Sequence, residues 1–372
     1  MYDILIIGGG LAGLSAAIRL SEARLKVALV EKNHYPFHRV CGEYISNESI
    51  PFLNSLGIDP FQLGAVALDR FRLSSPRGNY LDLSLQSGGF GISRYTLDEA
   101  LYHRAAELGT DFFLGKKAMK LQSEADWGQV ELNDGQLLEA RFLLGAYGKR
   151  SNLDSYLNRQ FFRQRSPYLG VKYHIKTDLH PQDQIALHNF SNGYCGISRV
   201  ENDTFCLCYL SSRSNLKKYG SIAEMEENIL HQNPFLKNLF QNSDFLFDKP
   251  KVINEISFAP KPQFESGVFM VGDTSGMITP LCGNGMAMAF HGSKILSGLM
   301  IQHFKSEINY HQLIERYQKN WRKQFARRLW VGRNIQRFFG DTRLSEALLE
   351  SARWLPGMAG FLVRQTHGKA FR

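Results

Sequence analysis

The sequence predicts an α/β fold, α+β overall: a domain of alternating strands and helices, assembled from separated stretches, interrupted by an inserted β-sheet domain and followed by a helical C-terminal tail. Three observations predict it. The chain opens on a buried strand, a glycine-rich turn, a helix and a second strand. Far downstream a second apolar strand ends in Gly272-Asp273 and leads into a long helix. Between the two lie short runs of alternating apolar and polar residues, the pattern of half-buried strands.

The opening unit carries the most information. Ile4 to Ile7 form a continuous apolar run, as in a strand with both sheet faces covered. Gly8, Gly9, Gly10, Leu11, Ala12 and Gly13 follow as G-x-G-x-x-G. Leu14, Ala17, Ile18 and Leu20 then recur at helical spacing, and Lys26 to Val30 read as a second strand closed by Glu31 and Lys32. Each glycine has a separate task. Gly8 permits the tight turn, Gly10 lets backbone approach a pyrophosphate, and Gly13 lets helix and strand pack closely. The helix N-terminus faces the phosphate charge. Glu31 is placed to accept hydrogen bonds from an adenosine ribose. The unit is a Rossmann-like dinucleotide-binding signature, and by itself it does not choose between NAD and FAD.

The bulk properties set the frame. A chain of 372 residues is long for one core and reads as two packed domains. With 44% hydrophobic and 21% charged residues it has the make-up of a globular enzyme. No apolar run approaches the roughly 20 residues that span a bilayer. Ile4 to Ile7 lack a basic flank and a small-residue cleavage site, so no signal peptide is expected. Five cysteines, an odd number with no zinc-type double pairing, suit a reducing cytoplasm. The net charge is +9, with Arg322, Lys323, Arg327, Arg328, Arg333 and Arg337 in one late helical region. That run reads either as a solvated helix face or as a surface for an anionic partner, an acidic carrier protein or a peripheral membrane contact. No nucleic-acid motif accompanies it, so nucleic acid is not an expected partner.

The downstream signature runs Gly272-Asp273, then Pro280-Leu281-Cys282-Gly283-Asn284-Gly285-Met286, then a helix to about Phe304. Arg39-Val40-Cys41-Gly42-Glu43 follows the Glu31 strand, and Arg94-Tyr95-Thr96-Leu97-Asp98 opens another helix. Together these segments resemble the flavoprotein superfamily of p-hydroxybenzoate hydroxylase and geranylgeranyl reductase, over roughly residues 1–305. The resemblance implies a Rossmann-like FAD-binding domain of the p-hydroxybenzoate hydroxylase type. It makes Asp273 the ribityl ligand and places Pro280, Gly283, Asn284, Gly285 and Met286 against the isoalloxazine. It runs Arg39, Cys41, Gly42 and Glu43 beside the flavin, with Arg94 a further neighbour. Two departures stand out. Tyr147, in Gly145-Ala146-Tyr147-Gly148, occupies the place of a usual Asp, and the W-x-W-x-I-P motif of flavin-dependent halogenases is absent.

The expected division assigns 1–65, 94–155 and 250–305 to a discontinuous FAD-binding domain. Residues 66–93 and 156–249 form the substrate-binding sheet domain, and 306–372 form the helical C-terminal region. Val171 to Lys176, Ile185 to Phe190 and Thr204 to Leu210 alternate as strands of the inserted sheet. Cys206 and Cys208 share one face of their strand, as core or pocket lining. No His, Cys and carboxylate cluster shows metal-ligand spacing, so no metal is expected. The candidate catalytic residues are Cys41, Glu43 and Cys282. Glu43 reads either as a proton shuttle beside the flavin or as a cap of the helix near Ser46. His38 and His291 read as packing or surface residues.

The resemblance implies an FAD-dependent oxidoreductase acting on a hydrophobic substrate, prenyl, polyketide-like or aromatic, by C=C reduction of the geranylgeranyl reductase type. The alternative is a flavin-dependent monooxygenase using NAD(P)H and O2. A more distant one is a flavin-free lipid-binding chaperone of the GDP-dissociation-inhibitor type, against which the intact Gly-Asp stretch argues. NAD(P)H is the expected reductant, and it must bind transiently away from Gly8 to Gly13, because no second G-x-G-x-x-G unit is present.

Overall fold

In the computed structural model, residues 1–164, 166–279, 284–336, 345–346, 349 and 370–371 are described. The chain opens with β1 (Tyr2–Ile7), α1 (Leu11–Glu22) and β2 (Val27–Glu31). It continues through β3 (Tyr44–Ser46), α2 (Ile50–Ser55), β4 (Val66–Ser74), β5 (Tyr80–Gly91) and α3 (Arg94–Glu107). Strands β6 (Asp111–Leu114), β7 (Ala118–Glu124), β8 (Trp127–Leu132) and β9 (Leu137–Gly145) follow. After α4 (Asn152–Tyr156) come β10 (Tyr168–Lys176), β11 (Gln184–Phe190), β12 (Gly193–Arg199) and β13 (Phe205–Ser212). Helices α5 (Arg213–Tyr219), α6 (Ile222–Asn228) and α7 (Pro234–Asn242) lead to β14 (Asp244–Phe245), β15 (Lys251–Asn254), β16 (Phe264–Glu265) and β17 (Val268–Met270). Two long helices, α8 (Gly285–Phe304) and α9 (Tyr310–Gln336), complete the described part.

The first sheet has the order β16-β17-β9-β1-β2-β6. Its central strands β17, β9, β1, β2 and β6 pair in parallel. The continuous apolar run of β1 has the reason expected of it. Ile4 and Ile6 pack with α1 and α8, while Leu5 and Ile7 pack with residues of the β7–β8 meander. Strand β9 does two jobs. Its first half pairs antiparallel with β8, and its second half runs parallel to β1 and β17. It is one continuous strand, because Glu139 to Leu144 contain no turn residue to break it.

The second sheet has the order β14-β10-β13-β12-β11-β4-β5-β3, with β15 on β10. One face is apolar. Val171, Tyr173, Ile175, Leu207 and Tyr209 pack under Met225, Leu236 and Leu239 of the covering helices. The opposite face follows from the period of two. Lys172 is paired with Cys208 and His174 with Cys206, so these four side chains share a face. Strand β3 belongs to this sheet, pairing with β5. The chain therefore crosses from the first sheet to the second within the loop that carries Arg39 to Glu43.

Helix α9 packs back on the first core through Leu313, Tyr317, Trp321, Phe325 and Leu329. It separates the late basic run into two groups. Arg327 is exposed, whereas Arg328 is buried and bridges Glu48 at 3.2 Å. Arg337 and Trp354 lie outside the described residues.

Candidate active site

The glycine-rich turn is built as its spacing requires, for reasons that differ at each position. Gly8 has φ +107°, and a Cβ there would stand 2.5 Å from the Ala146 carbonyl oxygen. A Cβ on Gly13 would stand 2.1 Å from the Gly8 carbonyl oxygen. A Cβ on Gly9 would strike the Tyr35 hydroxyl, which donates to the Gly9 carbonyl at 2.5 Å. Gly10 is different: its nearest neighbour across that space is an Arg94 guanidinium nitrogen at 3.8 Å. Open room, a cation and an uncapped α1 N-terminus meet at this one glycine. An anionic phosphate fits that combination.

Glu31 is buried at the end of β2 and accepts from Gly9 N at 2.9 Å and from Asn33 N at 3.1 Å. It also pairs with Arg39 at 3.2 Å. Lys32, the next residue, is exposed. Arg39 bonds the Gly9 carbonyl at 2.9 Å and the fully buried Asp98 at 2.8 Å. Asp98 receives a second cation, since Arg94 Nε and Nη2 approach its two oxygens at 2.7 and 2.8 Å. Asp98 thus holds both guanidiniums beside the phosphate turn. Sequence reading quoted Asp98 only as part of a helix start. Its signal was the i, i+4 spacing from Arg94.

The Gly-Asp segment lies on the same side. Gly272 has φ +65° and opens a short 3-10 turn over Gly272–Thr274. This turn is pinned from behind. The buried Arg159 donates to the Thr274 carbonyl at 3.0 Å and pairs with Asp154 at 2.9 Å and Glu265 at 2.7 Å. Lys261 donates to the Asp273 carbonyl at 2.8 Å, and Thr274 Oγ1 accepts from Gly148 N at 3.0 Å. Burial raises the Asp273 carboxyl above its ordinary range, while Lys261, Arg94 and Lys149 pull it down. Burial lowers Lys261 to about 8. Tyr147 sits with its hydroxyl 3.6 Å from Met270 Sδ, within the core on the meander side.

Asn284 is fully buried, and its Oδ1 accepts from Ser46 Oγ at 2.8 Å. It precedes Gly285, the first residue of α8, and Met286 follows. A small cleft is lined by Gly272, Asp273, Gly276, Gly285, Ala289 and Trp321. Pro280, Leu281, Cys282 and Gly283 lie outside the described residues.

The Arg39–Glu43 loop forms one wall of this region. Cys41 Sγ reaches Met286 Sδ at 3.6 Å, and a Cβ on Gly42 would have nothing within 4 Å. The second sheet grips the loop from behind. Lys172 Nζ donates to the Arg39 carbonyl at 3.2 Å, Ser198 Oγ to the Gly42 carbonyl at 3.2 Å, and Cys206 Sγ to the Cys41 carbonyl at 3.2 Å. Glu43, fully buried at φ +54°, takes Lys172 at 2.5 Å, His174 at 2.7 Å and the Arg94 backbone N–H at 2.7 Å. Burial alone would raise the Glu43 carboxyl; Lys172 and His174 outweigh it and hold it near about 2. Both oxygens are engaged. Glu43 therefore locks the loop to the sheet instead of shuttling protons or capping the helix near Ser46.

Glu43, His174 and Cys206 bring potential metal-ligand atoms within 4.8 Å of one another, a cluster with no trace in linear spacing. Lys172 already neutralises Glu43, and burial keeps the Cys206 thiol protonated well above its ordinary range, so the group is satisfied as an ion-pair network. His38 touches it edge-on through His174 at 5.1 Å and is pushed down to about 4 by burial and then by Lys172. His291 stacks on Phe371 at 4.2 Å and serves packing.

The residues that fold toward Gly10 and Asp273 fit FAD. There is open backbone at a helix N-terminus, two guanidiniums held by one carboxylate, and a desolvated acid at a glycine turn. Fold and site together define an FAD-dependent oxidoreductase. A family model described as an FAD binding domain matches residues 1–330, and the chain belongs to that family. The chain is 24% identical over 360 residues to conditioned medium factor receptor 1 of Dictyostelium discoideum, covering 88% of this chain and 68% of that one. It is 21% identical over 335 residues to the digeranylgeranylglycerophospholipid reductase of Methanocaldococcus jannaschii, covering 87% and 83%. The flavin-dependent brominase Bmp2 superposes with a TM-score of 0.78 at 18% identity, over 100% of this chain and 94% of that one. No helix among the described residues is long and apolar enough to cross a membrane.

Proposed function

We propose that the chain reduces carbon–carbon double bonds of a hydrophobic, prenyl-like substrate, with NAD(P)H as transient reductant. The observation that carries this reading is the division of the second sheet's inner face. Around the Arg39–Glu43 loop it presents Lys172, His174, Cys206 and Cys208. On the same face, across β13, β12, β11 and β4, stand the buried Leu210, Tyr194, Leu187 and Leu73, with Phe71, Tyr168, Phe258 and Met277 packed on them. An apolar chain laid on the second group has its end directed toward the first. The likeness to the archaeal lipid reductase over 83% of its length supports the same substrate class.

Bound FAD supplies the two-electron chemistry; the protein supplies position and protons. Arg39, Arg94 and the first N–H groups of α1 would hold the pyrophosphate. Asp273 would hold the ribityl hydroxyls, and the N–H groups at Asn284 and Gly285 would serve the ring edge. Cys41 is the proton-bearing side chain on the cofactor side of the loop, because burial raises its thiol and keeps Sγ protonated. The apolar end of the sheet excludes water and orients the double bond.

The test is an anaerobic assay. Purified holoprotein is reduced with NADH or NADPH and mixed with a geranylgeranyl lipid, and products are weighed by mass spectrometry. A gain of two hydrogens per double bond, without oxygen, is the expected result. A product that gains an oxygen atom only when air is admitted would establish the monooxygenase alternative instead.

A further inference from the structure

We propose that the exposed stripe of α9 docks the protein on an anionic membrane surface. Helix α9 spans 27 residues, and its inner face is anchored by Leu313, Tyr317, Trp321, Phe325 and Leu329. Arg316, Lys319, Lys323 and Arg327 are all exposed. Their spacings of three, four and four residues set them in one row along the outer face. The row ends on Trp330, 62% exposed and the most exposed large ring of the described residues.

Three observations separate this row from a merely solvated face. Glu315 is the one carboxylate of α9 and, although four residues from Lys319, is in no ion pair among the described residues. Among the described residues, none of the four cations is in an ion pair, so the row presents four charges that no carboxylate of the chain neutralises. Arg328, on the other side of the helix, is spent on Glu48 and fixes the orientation of α9. Four uncompensated cations ending on an exposed indole match a lipid headgroup layer. The cations meet anionic phosphates, and the indole, apolar in body and polar at its N–H, settles at the interface. An acidic carrier protein would answer the cations alone and leave the indole unexplained. The inference deepens the proposed function in one respect, since a prenyl lipid resides where this face would dock. The geometry does not depend on that reading.

The test is cosedimentation of FAD-loaded protein with phosphatidylcholine vesicles, with and without phosphatidylglycerol. Each near-surface cation strengthens partitioning roughly fivefold, so Arg316→Gln/Lys323→Gln/Arg327→Gln should lose on the order of a hundredfold. The expected pattern is binding only to anionic vesicles, loss at high salt, a blue shift of indole emission on binding, and absence of that shift in Trp330→Phe. Flavin content and reduction by NAD(P)H in the variants should match the parent, which separates a failed docking surface from a failed enzyme reading. Equal binding of parent and triple variant would overturn the proposal. So would absence of vesicle binding alongside tight, salt-sensitive binding to an acidic carrier protein.

Discussion

Lys172 and Glu43 are 129 residues apart in sequence, both fully buried, and joined Nζ to Oε1 at 2.5 Å. One sits on the second sheet, the other on the loop that walls the cofactor site. Their bond is where the substrate-side sheet grips the flavin-side loop. Removing one partner leaves a buried charge without compensation, which costs about 3–5 kcal/mol. Lys172→Met should therefore lower the denaturant midpoint sharply and weaken FAD retention. Lys172→Met with Glu43→Gln removes both charges and should be markedly milder than the single Lys172→Met change. A double variant as damaged as the sum of the singles would refute the coupling.

The same pair sets an acid limit. The folded Glu43 carboxyl titrates near about 2, below its ordinary 4.5. A depressed carboxylate contributes stability that is present above its unfolded value and lost as pH falls through the folded one. That contribution should disappear between about pH 4.5 and 2. His188 acts earlier. Burial lowers it from 6.5 to about 3, so its stabilisation starts to be lost once pH falls below 6.5. Melting temperatures measured from pH 8 to 4 should fall across this range. His188→Asn, which keeps a polar partner for Ser74 Oγ at 2.8 Å, should flatten the decline.

The glycines of the turn should separate folding from cofactor capture. Gly13→Ala drives a Cβ to within 2.1 Å of backbone and should destabilise the fold itself. The Cβ of Gly10→Val meets nothing nearer than the tip of Arg94 at 3.8 Å, so the apoprotein should fold normally. It should nevertheless lose flavin, because the side chain fills the phosphate position. Circular dichroism and the flavin absorbance of purified protein distinguish the two outcomes. Full FAD occupancy in Gly10→Val would remove the turn from the cofactor site.

Asp273→Ala should also release flavin, by leaving buried cofactor hydroxyls unpaired, a loss of about 1–3 kcal/mol per group. Arg159→Met should act on the same step at a distance. It frees the Thr274 carbonyl and strands Asp154, so the Gly-Asp turn loses its support. The measurement is the FAD dissociation constant by fluorescence quenching. An unchanged constant in a folded Arg159 variant would show that the turn holds itself.

Neighbouring arginines of α9 should behave as opposites. Arg328→Ala breaks the buried pair with Glu48 and should lower thermal stability, whereas Arg327→Ala should leave it unchanged. Differential scanning calorimetry on the two variants decides the point.

The sequence by itself determined the nucleotide-binding unit, the second signature and the inserted strands. Each is a local event: a glycine turn, a helix start and a period of two are set by steric and hydrogen-bonding rules that act over a few residues. It also placed Lys172 and His174 on one strand face and Arg94 four residues before Asp98, without saying what either pair would meet. Only the tertiary structure decided that Glu43 is a lock, that Asp98 holds two guanidiniums, that Arg159 braces the Gly-Asp turn, and that Arg328 is buried while Arg327 is free. The physical reason is common to all four. The function of a charge inside a protein is set by which opposite charge is brought within hydrogen-bond reach of it and by how much water is removed. Partners such as Glu43 and Lys172, or Glu48 and Arg328, are fixed by the packing of separate elements and leave no spacing in the chain to read.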